Sequence, residues 1–233
     1  ITAAMRDGTG LKEFEARFPE RFFDVGISEG HAVAMSAGMA KQGCVPVFAV
    51  YSSFLQRGYD MLIHDVALLG LHVVFGVDRA GLVGEDGETH HGLFDVAYLS
   101  TVPGMTLYAP SSFAEVGTML RHALLEVKGP VALRYPRGGE GAYHGDAGTA
   151  PTLVIKEGQG ITLVTYGATY PDILAAAERL EEAGCQPEII KLNRLCPLDL
   201  EPVCRSAAKT GRLLVAEEVA AMGSAYFPKK RRK

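Results

Sequence analysis

Short apolar runs rich in β-branched residues alternate along this chain with longer segments whose apolar positions recur every three to four residues. That alternation predicts an α/β protein, parallel sheets flanked by helices. Strands are expected at 21–25, 45–50, 72–77, 105–109 and 131–135, and helices at 28–41, 53–69, 94–99 and 112–126. Ser28 stands where an N-cap belongs, and Leu55, Tyr59, Leu62, Ile63 and Val66 make one buried stripe on the second helix. Residues 138–160 are rich in Gly, Ala and Pro, have no clear period, and read as a linker. A second unit follows, with strands at 161–166, 187–192 and 213–216 and a helix at 170–183. About 70 residues is thin for an independent α/β domain, so this unit reads as incomplete.

Composition narrows the function classes. The 233 residues are 48% hydrophobic, enough for a sizeable core, and the formal charge is −4. Lys229 to Lys233 supply +5, so the body carries −9 and has no broad cationic surface for nucleic acid. The basic end reads as a solvated tail. Four cysteines at 44, 185, 196 and 204 lack any C-x-x-C or zinc spacing, pointing to reduced thiols and a cytoplasmic setting. No apolar run approaches the roughly 20 residues of a membrane span. The chain begins at Ile1 without an initiator methionine, so a fragment or trimmed product is expected.

The chemistry gathers at expected strand ends. Glu85-Asp86-Gly87-Glu88-Thr89-His90-His91-Gly92 packs carboxylates and imidazoles into one glycine-punctuated loop. Adjacent histidines make poor shared metal ligands, and no third ligand stands at a familiar spacing, so no metal site is expected in this chain. Neither a dinucleotide fingerprint nor a P-loop is present. Glu29, in the first turn of a helix, suits the macrodipole, yet the small residues around it also permit a ligand ring to approach. Phe54 could staple a helix start or stack on a flat heteroaromatic ring, with Arg57 close by. Arg79, Arg134 and Arg137 stand beside glycines, where a guanidinium could grip phosphate or form a surface ion pair. His31, His64 and His122 sit in helical patterns and read as structural; Glu217-Glu218 reads as completing a strand end, although one of the two could line a cleft.

Five motifs in order carry a resemblance: 26–33 (GISEGHAV), 51–57 (YSSFLQR), 78–81 (DRAG), 84–92 (GEDGETHHG) and 134–138 (RYPRG). Together they resemble the 1-deoxy-D-xylulose-5-phosphate synthase family. The G-x-D-G-x-T-H element alone is shared with transketolases. The resemblance implies a thiamine-diphosphate fold, with residues 1–140 as pyrimidine-binding domain, 141–158 as linker, 159–226 as a partial transketolase C-terminal domain and 227–233 as basic tail. It implies decarboxylative condensation of pyruvate with glyceraldehyde 3-phosphate, an early step of isoprenoid and thiamine precursor synthesis. Glu29 matches the glutamate that engages the aminopyrimidine, and Phe54 the residue stacked on that ring, with Arg57 nearby. Tyr51, Arg79 and Arg137 match positions holding the phosphorylated aldehyde. Asp86 and His90 match the polar pair at the reacting carbons.

Two departures qualify the match. The family usually carries glutamine after the catalytic glutamate, where this chain has Gly30. The family's diphosphate-binding domain, with its magnesium ligands, has no counterpart, so Mg2+ and diphosphate are expected to need a missing domain or a partner subunit. A homodimer is expected, and the isolated chain is expected to be inactive. Rival readings are a transketolase C-terminal subunit, a 2-oxoacid dehydrogenase β subunit, and an inactive truncated assembly module.

Overall fold

The computed structural model describes residues 1–224, so the basic tail lies outside the described residues. The chain opens with Ile1 and Thr2 hooked between two segments: Ala49 N–H donates to Ile1 O and Val25 N–H to Thr2 O. A short helix α1 (Lys12–Arg17) precedes α2 (Glu29–Lys41), β1 (Val47–Tyr51) and a broken helix. That helix runs as α3 (Ser52–Leu55), a 3-10 turn (Gln56–Gly58), α4 (Tyr59–Met61) and a π-helical turn (Leu62–Ala67). Then come β2 (Val74–Asp78), α5 (Asp95–Leu99), β3 (Thr106–Tyr108), α6 (Phe113–Leu125) and β4 (Val131–Arg134). The second half holds β5 (Thr152–Lys156), β6 (Ile161–Thr165), α7 (Tyr170–Glu182), β7 (Pro187–Leu192), β8 (Arg194–Cys196), α8 (Glu201–Thr210) and β9 (Leu213–Ala216).

The first sheet has the order β1-β2-β4-β3-β8; the first four strands are parallel and β8 is antiparallel to β3. All four residues of β4 are buried, which is why these strands read as continuous apolar runs rather than alternating ones. The second sheet, β5-β7-β6-β9, is parallel except for β5. Parallel strands with intervening helices put their C-terminal ends on one edge, and that edge carries the loops after β1, β2 and β4.

Three sequence expectations fail locally. Residues 21–25 do not form a strand; beyond a 3-10 turn (Pro19–Arg21) they make a single bridge, Asp24 to Thr2, because the opposing segment is only two residues long. Residues 152–156, inside the stretch read as a linker, form the edge strand β5, held by antiparallel pairing to β7. β8 and α8 were not expected at all. β8 is three residues long and exists through its pairing with β3, a tertiary contact that local pattern does not encode.

The junction between the halves is polar and buried. Lys191 on β7 donates to Glu115 on α6 at 2.8 Å, both side chains fully buried, and also to Asn193. The second carboxylate oxygen of Glu115 takes the Tyr143 hydroxyl at 3.1 Å and the Ala147 N–H at 3.2 Å. Buried charges persist only when paired and hydrogen-bonded in this way.

Candidate functional site

Glu29 lies in the first turn of α2 and is 3% exposed. Ser28 occupies the N-cap position, but its side chain makes no capping hydrogen bond. Glu29 Oε1 instead accepts a 2.5 Å bond from Arg57 Nη1, whose side chain is 56% exposed. The 3-10 turn holding Arg57 can approach α2 because Gly58 has no side chain: a Cβ there would lie 2.8 Å from Val33 Cγ2. A Cβ on Gly30 would lie 3.0 Å from Met61 Cε, so Met61 fills the space that a longer residue at position 30 would claim. Helix α2 begins at Glu29 despite Gly30.

From Arg57 the contacts run on without a break. Its guanidinium sits 4.8 Å from the Phe54 ring centre, and Phe54 faces His90 at 5.0 Å and Tyr51 at 5.5 Å. Tyr51 carries the Arg79 guanidinium 3.8 Å over its ring. Arg79 Nε donates to Asp86 at 3.2 Å, and Arg137 Nε pairs with the same Asp86 oxygen at 3.0 Å. The eight residues to which the resemblance assigns a role therefore form one connected cluster: Glu29, Tyr51, Phe54, Arg57, Arg79, Asp86, His90 and Arg137.

The two cations on Asp86 differ in availability. Arg79 is almost buried, and its Nη1 also donates to the Gly8 carbonyl at 2.6 Å and to Asp78 at 2.8 Å. Its backbone sits at φ +62°, a left-handed conformation that costs a non-glycine residue about 1 kcal/mol or more and is held here by those contacts. Burial pushes the Asp78 carboxyl above its ordinary range, with Arg79 pulling against it. Arg137 is 36% exposed and is the cation that can turn toward a ligand. Arg134, by contrast, is internal: its Nε donates to the fully buried Asp95 at 3.0 Å, so it is not a surface phosphate grip.

A cleft of about 890 Å³ opens beside this cluster, with Arg79 and Arg137 on one wall and Gly8 and Gly10 next to them. Ser111, Ser112 and Phe113, where α6 begins, also line it. Ser112 caps α6 by accepting from Glu115 N–H at 3.1 Å, and Glu140 accepts from Phe113 N–H at 2.5 Å. The loop bearing Asp86 and His90 closes at its base through two bonds between Gly81 and Gly92, of 2.9 and 2.8 Å. His91 turns inward and accepts from Val83 N–H, so of the two adjacent imidazoles only His90 joins the aromatic wall.

Residues missed in the sequence are mostly supports. Asp95, Glu115 and Lys191 are charges embedded in apolar stretches, a signal that each is paired in the interior, although the partner is invisible locally. Among the described residues no group of three or more His, Cys, Asp or Glu is arranged to hold a metal, and no helix is long and apolar enough to cross a membrane.

Comparison with known proteins places this geometry. Residues 1–139 match the family model described as transketolase, pyrimidine binding domain, and residues 150–226 match transketolase, C-terminal domain. The chain is 49% identical over 228 residues to proteins named 1-deoxy-D-xylulose-5-phosphate synthase from Chlorobium luteolum and Chlorobaculum tepidum. It is 47% identical over 230 residues to one named 1-deoxy-D-xylulose-5-phosphate synthase 1 from Geobacter sulfurreducens. These alignments cover 96% of this chain but 36% of each relative, so the chain spans about a third of their length. A solved structure described as a split gene transketolase, inactive beta4 tetramer, superposes with a TM-score of 0.84 at 28% identity, covering 96% of this chain and 74% of that one.

Proposed function

The chain belongs to the family of transketolase pyrimidine-binding domains, and from that premise we propose that it forms the pyrimidine-side half of a thiamine-diphosphate active site in a 1-deoxy-D-xylulose-5-phosphate synthase. The proposed reaction is decarboxylative condensation of pyruvate with D-glyceraldehyde 3-phosphate. The observation that carries this reading is the unbroken chain of contacts from the buried Glu29 to the cation-lined cleft at Arg137.

The residues suit the cofactor's ring. A buried carboxylate at a helix start stands beside an aromatic wall of Phe54, Tyr51 and His90. When bound, thiamine diphosphate supplies an electron sink for the carbons of the donor acid. Glu29, with one oxygen anchored by Arg57, would hold the ring through its other oxygen and stabilise a proton on it. Phe54 presents its face for stacking. His90 orients groups at the reacting carbons and moves protons, and Asp86 sets the two arginines. Arg137, with Arg79 and Tyr51 behind it, receives the aldehyde's phosphate, whose remote binding energy serves positioning.

Within this reading, residues 1–140 make the pyrimidine-binding domain and the second sheet belongs to a C-terminal domain. Diphosphate and Mg2+ fall to residues of the longer relatives that this chain does not span. The enzyme would work in the cytoplasm as a homo-oligomer. The inactive tetramer named for the transketolase neighbour supports the expectation that this chain alone does not turn over. The test is a chimera in which this chain replaces the matching 228-residue stretch of the Chlorobium luteolum synthase. It should form deoxyxylulose phosphate from pyruvate and glyceraldehyde 3-phosphate, and Glu29→Ala should nearly abolish turnover with the fold intact. Activity with a ketose donor in place of pyruvate would favour a transketolase instead.

A further inference from the structure

The segment following β9 touches both ends of the loop that carries Asp86 and His90. Glu218 lies across Gly81, so closely that a methyl group on Gly81 would collide with its carboxylate. Ala220 N–H donates to Leu93 O at 2.8 Å, at the other end of the loop. Gly223, at φ +84°, lies flat against Ala97 on α5, leaving no room for a side chain. Val219 packs on the main core. Beneath this strap Arg134 bonds Asp95, the first residue of α5, while Tyr166 beside it donates to Glu217 at 2.9 Å. Arg134 Nη2 is buried with no hydrogen-bond partner, and Arg134 and Glu218 line one cavity of about 10 Å³, room for a single water. Such a water would link carboxylate to guanidinium across a gap of low dielectric.

We propose that Glu218 is a positioning residue and that residues 217–223 act as a strap by which the C-terminal half holds the 81–92 loop over the site. The functional importance of that loop rests on the reading above; the strap itself does not. Hydrogen–deuterium exchange on this chain tests it directly. Glu218→Ala and Gly223→Ala should each raise exchange several-fold in peptides spanning 81–93, while peptides spanning 74–78 and 131–134 stay as in the parent. Glu218→Gln, which keeps the cover over Gly81, should protect the loop better than Ala. Unchanged loop exchange in both alanine variants, or a rise shared equally by the strands, would overturn the strap.

In the chimera, Glu218→Ala should lower kcat by about tenfold with KM for the aldehyde within about twofold, since misplacement acts on the reacting groups rather than on Arg137. An unchanged kcat alongside loosened exchange would overturn the positioning role while leaving the strap standing. A chimera with no activity before substitution would count against the functional reading, and the exchange result would still decide the strap.

Discussion

Replacing Lys191 with methionine tests how the two halves are joined. The side chain is fully buried, and the substitution removes its bonds to Glu115 and Asn193 and a cation–π contact with Tyr170 at 5.2 Å. What remains is a carboxylate with no exposure. Breaking one partner of a buried pair costs about 3–5 kcal/mol. Here Glu115 keeps three donors, Ser111 N–H at 2.7 Å, the Tyr143 hydroxyl and the Ala147 N–H. That places the loss at the lower end, about 3 kcal/mol, or roughly 6–12 °C in Tm for a chain this size. The double variant Lys191→Met with Glu115→Leu removes both charges and should recover part of the loss, since apolar replacement of a buried pair is often near neutral. Thermal melts followed by circular dichroism compare the parent, both single variants and the double. A Tm for Lys191→Met within about 2 °C of the parent would refute the claim that this pair braces the junction. A double variant less stable than either single would refute the electrostatic reason given for it.

Other outcomes follow from the site. In the chimera, Arg137→Ala should raise KM for glyceraldehyde 3-phosphate about tenfold or more, the worth of a charge-assisted hydrogen bond, with kcat changed less; an unaltered KM would remove Arg137 from the phosphate. The Glu140 carboxyl is held below its ordinary value of 4.5 by His144 and the Phe113 N–H. Its cap on α6 is therefore fully present above pH 4.5 and fades as pH falls through the lower folded value. Phe113 amide exchange should accelerate over that acid range, and a flat profile would contradict it. Gly92→Ala would drive a methyl into the Arg79 carbonyl and to within 2.7 Å of Ser52 Oγ, costing about 1–3 kcal/mol by urea unfolding. An unperturbed midpoint would show that the loop base has slack.

Much of this architecture follows from local pattern. The strand-forming runs, the periodic helices and the glycine-bounded motifs at strand ends are short-range features, readable because period and turn chemistry act over a few residues. Local pattern was thus enough to determine an α/β chain, and the resemblance carried by its motifs singled out Glu29, Phe54, Asp86, His90 and Arg137. Only the tertiary structure decided who meets whom. Arg79 is bound to Gly8 across 71 positions, and Lys191 to Glu115 across 76. Arg134, equivalent to Arg137 in a sequence reading, is an interior partner of Asp95. β8 exists because β3 offers an open edge. The physical reason is that a charge or an edge strand is stabilised by the partner that desolvates with it, and that partner is chosen by packing between distant segments.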